Sequence, residues 1–140
     1  VIDVSTGNEP LNPIVFINPK IIKKSGAVIS HEGCLSFPEA FTDVRRYSDV
    51  MVKAMDRNGR SFVLEAKDGS LLARAIQHEF DHLDGILFID HVINRFEAEE
   101  VLKKFNLPPI QIEKLLDEPE LEAKIEELLK QKVKSEEKND

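Results

Sequence analysis

"QHEFDHLDG", Gln77–Gly85, closes a longer segment, "LLARAIQHEFDHLDG", whose apolar period is that of a helix. At about 100° per residue, Leu71, Ala75, His78 and His82 fall on one stripe, and Leu72, Ile76, Phe80 and Leu83 fall on roughly the opposite side. Apolar groups on both sides predict a helix buried in its domain. Asp68 or Ser70 can cap its start, and Gly85 can end it. Residues i and i+4 are neighbours on a helix surface, so His78 and His82 can point at one ion. Glu79 lies round the helix from His78, where it can reach a water on that ion without ligating it. This is the arrangement of a metal-activated water with a carboxylate general base. The alternative is a chance HExxH on an ordinary helix, expected on the order of once in a few hundred chains of this length.

Working outward, the upstream chain reads as strands. "VIDVS" and "PIVFINPKII" are β-branched runs separated by the turn-rich "TGNEPLNP". "AVIS" predicts a third short strand running into "HEGCLSFPEAF", read as extended or looped. In "DVMVKAMDRNGRSFVLEA", Val50, Val52 and Ala54 alternate with polar or longer residues, "DRNG" turns the chain and "SFVLEA" returns, which predicts a hairpin. Downstream, "ILFIDHV" reads as a strand or extended segment. "RFEAEEVLKKF" predicts a helix stopped by Pro108 and Pro109, and "LEAKIEELLKQKVK" another. Residues 97 to 140 carry 13 acidic and 8 basic side chains, the pattern of a solvated amphipathic tail, with a partner-binding helix as the sharper alternative. The elements predict an α+β fold: mixed or antiparallel β-sheets packed around a central helix carrying HExxH, with a C-terminal helical tail.

Composition narrows the class of function. The chain has 140 residues, 41% hydrophobic and 32% charged, enough for one domain with a real core. A net charge of -7 argues against a broad nucleic-acid-binding face. No apolar run approaches the roughly 20 residues that span a bilayer. Cys34 is the only cysteine, so no intrachain disulfide can form, and a reducing compartment suits it.

A catalytic zinc site takes three protein ligands and keeps one position open. A metzincin would place a third histidine six residues past the second; that position is Phe88, and His91 is out of step. A thermolysin-like site would take a downstream glutamate, and Glu97, Glu99 and Glu100 are on offer in a charged helix. Cys34 remains: as a thiolate it is a soft ligand for zinc or ferrous iron. A lone cysteine is ordinarily a small buried apolar residue, but the neighbouring "EG" does not suit a tight core.

"EGCLS", Glu32–Ser36, and "QHEFDHLDG", in that order and about 40 residues apart with a hairpin between them, resemble the second and third signature motifs of the peptide deformylase family. The resemblance covers roughly residues 1 to 93, the metallohydrolase core; residues 94 to 140, a charged helical region, resemble the family only loosely. It implies removal of the formyl group from N-formylmethionine at the start of new bacterial and organellar polypeptides. Carried over by position, it implies that Cys34, His78 and His82 hold one divalent metal, that Glu79 is the general base, and that the Leu35 backbone N–H donates to the developing oxyanion. The implied metal is Fe2+, with Zn2+, Ni2+ or Co2+ able to replace it. Leu71, Arg74 and Ala75 would line the methionine side-chain pocket, although on pattern alone Leu71 and Ala75 are simply core. Gly33, lacking Cβ, would let the ligand loop approach the metal closely.

Farther from the metal, Glu32 is expected to pair with Arg45 or Arg46, the resemblance favouring Arg46. Asp81 is expected either to orient a ligand histidine or to be a surface carboxylate. His31 and His91 are read as non-ligands. The expected partners are nascent N-formyl-Met peptides, with transient ribosome association, no membrane and no sequence-specific nucleic acid. The expected setting is the cytoplasm of a bacterium, an organellar form being left open.

One departure stands out. The family's first motif, a glycine-rich "GxGLAAxQ" whose glutamine supplies a second oxyanion donor, does not occur. The chain opens on "VIDVS", which resembles the strand after that motif, and Val1 is no start-codon product; truncation is the expected reason. Losing one such donor typically costs about 10² to 10³ in rate. Two other classes stand beside this reading: a non-catalytic metal-binding module with its fourth position closed by a protein ligand, and a zincin-type peptidase.

Overall fold

A computed structural model of the chain describes residues 1–107. The second tail helix and the prolines expected to stop the first lie outside the described residues. The elements run β1 (Ile17–Ser25), β2 (Val28–Cys34), β3 (Phe37–Arg46), β4 (Asp49–Met55), β5 (Ser61–Ala66), α1 (Leu71–Leu83), a 3-10 turn (Phe88–His91) and α2 (Arg95–Lys104). The described residues fall into two compact units, one of Val1–Val28 with Arg46–Leu87, the other of Ile29–Arg45 with residues 88–107.

The first unit holds an antiparallel sheet in the order β1-β4-β5 and helix α1. Val50, Val52 and Ala54 alternate along β4 and are all buried, as their period-2 spacing requires. Val50, Val52 and Ala66 join Ala73 and Ile76 of α1 and Ile2 in one core, with Phe16, Leu64, Leu72, Ala75 and Phe80 packed against it. Full burial of a side chain such as Val52 or Ile76 contributes about 1.5–3 kcal/mol. Between β4 and β5, Asp56 closes the turn: its carboxylate accepts from the N–H groups of Asn58 at 2.8 Å and Arg60 at 2.9 Å.

The expected helix spans Leu71–Leu83, and of its two candidate caps Ser70 is the one used, its hydroxyl accepting from Ala73 N–H at 3.2 Å. The expectation that it is buried on both sides is corrected. Leu71 is 53% and Leu83 71% exposed, while Ala73, Ile76 and Gln77 are buried. The sheet covers one face of the helix, and the apolar residues at its two ends lie beyond that face.

"VIDVS" does not form a strand; a single antiparallel bridge joins Ile2 to Ile14. Asp3 draws the local backbone into a turn instead, its carboxylate accepting from Ser5 N–H at 2.9 Å and Asn12 N–H at 3.0 Å, and Pro10 and Pro13 have no N–H to give a ladder. Asn18, at φ +48, and Pro19 bend β1 at a register shift, which an edge strand tolerates.

The second unit is built on the β2-β3 hairpin. β2 runs on through "HEGC", so the extended reading of that stretch holds and the turn is only Leu35 and Ser36. Ala40, Thr42 and Val44 alternate as the buried face of β3. Phe37 meets the rings of Phe88 at 5.6 Å and Phe105 at 5.3 Å, both edge-on. "ILFIDHV" is corrected: Phe88–His91 is a 3-10 turn, and only Val92 bridges a strand, at Val44. Helix α2 starts at an Asn94 cap and ends before the expected prolines, at Phe105 followed by Asn106 at φ +54, a left-handed stop that asparagine tolerates.

Candidate metal centre

Helix α1 puts His78 and His82 one turn apart. Their ring centroids are 5.1 Å apart and edge-on, and both side chains are half-buried. Two imidazoles so placed can turn ring nitrogens toward one ion. Glu79, between them in sequence, is exposed on a neighbouring face of the same helix.

Beneath the histidines lies a charge that is almost wholly buried. Arg46, the last residue of β3, is 3% exposed; its Nη1 donates to Asp81 at 2.7 Å and its Nη2 lies 3.4 Å from His78 Nδ1. A buried guanidinium needs such a partner, because its desolvation is otherwise uncompensated. Asp81, left open between orienting a histidine and facing solvent, holds the arginine that flanks His78. The main chain at the next residue is fastened to the helix by Gln77: its Oε1 accepts from Tyr47 N–H at 2.9 Å and its Nε2 donates to Tyr47 C=O at 2.8 Å. Gln77 is a residue that the motif contained and sequence reasoning gave no role. Its task depends on a residue 30 positions away, which no local pattern signals.

In the other unit, Cys34 is the last residue of strand β2 and half-buried. Leu35 follows at the hairpin tip, 98% exposed. Gly33 has a packing reason of its own: a Cβ there would come within 2.5 Å of the Phe41 ring and 3.1 Å of Ala40 O. Glu32 accepts from Ser30 Oγ at 3.1 Å. His31, expected to be a non-ligand, pairs with Asp43 at 3.0 Å and stacks on Phe41.

Of the residues assigned by resemblance to the methionine pocket, Leu71 is exposed, Ala75 packs against the core, and Arg74 donates from Nε to Gly69 O at 3.0 Å. The carboxylates that a thermolysin-like site would need are engaged within their own unit: Glu97 accepts from the buried Thr42 hydroxyl, Glu99 pairs with Arg95 and Glu100 with Lys103.

The donor chemistry fits a divalent transition metal. Two imidazoles one helical turn apart suit zinc or ferrous iron and not the all-oxygen preference of magnesium or calcium.

Known proteins are similar to this chain. A family model described as polypeptide deformylase matches residues 1–98. A peptide deformylase of Agrobacterium fabrum is 47% identical over 106 residues, 75% of this chain and 61% of that protein. Peptide deformylase 1 of Clostridium perfringens is 56% identical over 77 residues, 55% of this chain and 51% of that one. The chain thus spans between 51% and 61% of the length of these two relatives. Among solved structures, a peptide deformylase from Synechococcus elongatus in complex with actinonin aligns with TM-score 0.63 at 48% identity, covering 69% of this chain and 52% of that one. One from Legionella pneumophila aligns with TM-score 0.61 at 36% identity, covering 74% and 62%.

Proposed function

The chain belongs to the polypeptide deformylase family, a family of divalent-metal enzymes, and from that premise we propose that it hydrolyses the formyl amide of N-formylmethionine at the start of new polypeptides, releasing formate. The observation that carries the reading is the pair His78 and His82 on α1 with Glu79 between them. Cys34, whose thiolate is a soft ligand for zinc or ferrous iron, is proposed as the third ligand. Fe2+ is the proposed native ion, with Zn2+, Ni2+ and Co2+ as substitutes.

A bound divalent cation would supply Lewis acidity, acidifying a water and polarising the formyl carbonyl. The protein's own groups do the rest. His78 and His82 serve as imidazole ligands, and Cys34 as a thiolate. The Glu79 carboxylate takes the proton of the attacking water and returns it to the departing α-amine as the C–N bond breaks. The Leu35 N–H donates to the carbonyl oxygen as it gains negative charge. Glu32 helps to brace the strand that carries Cys34, and Arg46 steadies His78 from below. Gly33, Leu71, Arg74 and Ala75 form part of the surface that receives the formyl-methionine. The proposed setting is the bacterial cytoplasm near the ribosome.

The test is formate release from an N-formyl-Met peptide by the metal-loaded protein, with the N-acetyl-Met peptide and an internal peptide bond as comparisons. Formate from the first alone is expected. Cleavage of internal bonds would favour a zincin-type peptidase, and metal uptake without turnover a non-catalytic module.

A further inference from the structure

The Gln77 side chain has no part in the chemistry above, yet it is 6% exposed and its amide is fully committed. Oε1 accepts from Tyr47 N–H at 2.9 Å; Nε2 donates to Tyr47 C=O at 2.8 Å and to Ala73 C=O at 3.0 Å. Two bonds to the N–H and C=O of one residue act like a rung of an antiparallel ladder, fixing the position and the orientation of that stretch of main chain. Tyr47 directly follows Arg46, whose guanidinium meets Asp81 at 2.7 Å and lies 3.4 Å from His78 Nδ1. Asp81 is one helical turn beyond Gln77, and His78 is its neighbour in the chain. The contacts close a circuit: Gln77 to the Tyr47 peptide, along one residue to Arg46, then to Asp81 and His78, and back through α1.

We propose that Gln77 is a positioning residue for His78: by gripping the Tyr47 peptide it sets where the Arg46 guanidinium sits, and Arg46 sets the orientation of the imidazole. The proposal rests on the reading of His78 as a metal ligand. Glutamine alone among side chains of this length suits the task. Glutamate would press a carboxylate oxygen against the carbonyls of Tyr47 and Ala73, and methionine would fill the space with no donor or acceptor of matching strength. Groups that hold a metal-ligating histidine in place change metal affinity by about 10- to 100-fold when lost.

The experiment measures the Co2+ dissociation constant and the visible Co2+ spectrum of the wild type, Gln77→Met, Arg46→Lys and the double variant, each well below its unfolding temperature. Gln77→Met is expected to weaken Co2+ binding about tenfold or more and to change the spectrum. In the Arg46→Lys background the same substitution is expected to change the constant less than about twofold, because the route through Arg46 is already cut. Equal losses in both backgrounds overturn the proposal, as does a Gln77→Met variant that melts earlier but binds Co2+ unchanged. A wild type that takes up no Co2+ overturns the ligand reading itself, whereas the variant outcomes above overturn the positioning proposal alone. Where Gln77→Met does not fold, amide exchange in the wild type serves instead. Saturating Zn2+ is expected to slow exchange of the Tyr47 N–H at least about tenfold through linkage, and an unchanged rate overturns the proposal.

Discussion

Glu79 is exposed between two half-buried histidines, so replacing it disturbs little packing. Glu79→Gln keeps the shape and removes the oxygen that accepts a proton. The variant is expected to retain metal and lose turnover by about 10²- to 10⁴-fold, read as formate released; activity within about threefold of wild type would remove Glu79 from the role of base. At Asp3 the expected effect is on stability. Hydrogen bonds from the Ser5 hydroxyl and the Ser5 N–H, with a smaller one from Asn12 N–H, hold its carboxyl below the ordinary 3.8, against a small opposing desolvation. A depressed native value favours folding above the unfolded value and loses that contribution as pH falls through the native one. The stability gap between wild type and Asp3→Asn, from urea unfolding, is therefore expected to be flat above about pH 5 and to shrink below about pH 4. A gap that is unchanged down to pH 2 contradicts this role.

Among the elements, the β2-β3 hairpin carries a sharp steric demand. Gly33 lies under the Phe41 ring, 2.5 Å from where a Cβ would stand, and Phe41 is 63% exposed and so able to swing away. Gly33→Ala is expected to destabilise by about 1–3 kcal/mol, with partial recovery in the Gly33→Ala, Phe41→Ala double variant; additive losses would place the strain elsewhere. The hairpin β4-β5 and helix α1 were legible in sequence because their apolar residues recur at periods of 2 and 3.6 over many positions. "VIDVS" misled because its β-branched residues say nothing about Asp3 and the prolines competing for the backbone. "ILFIDHV" misled because a short apolar run suits a strand and a buried turn equally well. Leu71 and Leu83 fit the helical period but lie past the face that the sheet covers.

Over the whole chain, the chemistry-bearing residue types were legible and the supports beneath them were not. A histidine pair at i, i+4 and a single cysteine announce themselves by rarity and spacing, and the family match to residues 1–98 agrees with both motifs. The contacts of Gln77 with Tyr47 and of Arg46 with Asp81 link residues at least 30 positions apart, and only folding brings them together. None of the described helices is long and apolar enough to cross a membrane. The central claim is that the helix supplies two ligands and the base while Cys34 supplies the third ligand. Metal content of purified Cys34→Ala beside wild type tests it most directly. Wild type is expected to carry one divalent ion per chain and the variant almost none, since two imidazoles alone leave the tetrahedral set half empty. A Cys34→Ala protein that keeps its full complement of metal would contradict the claim.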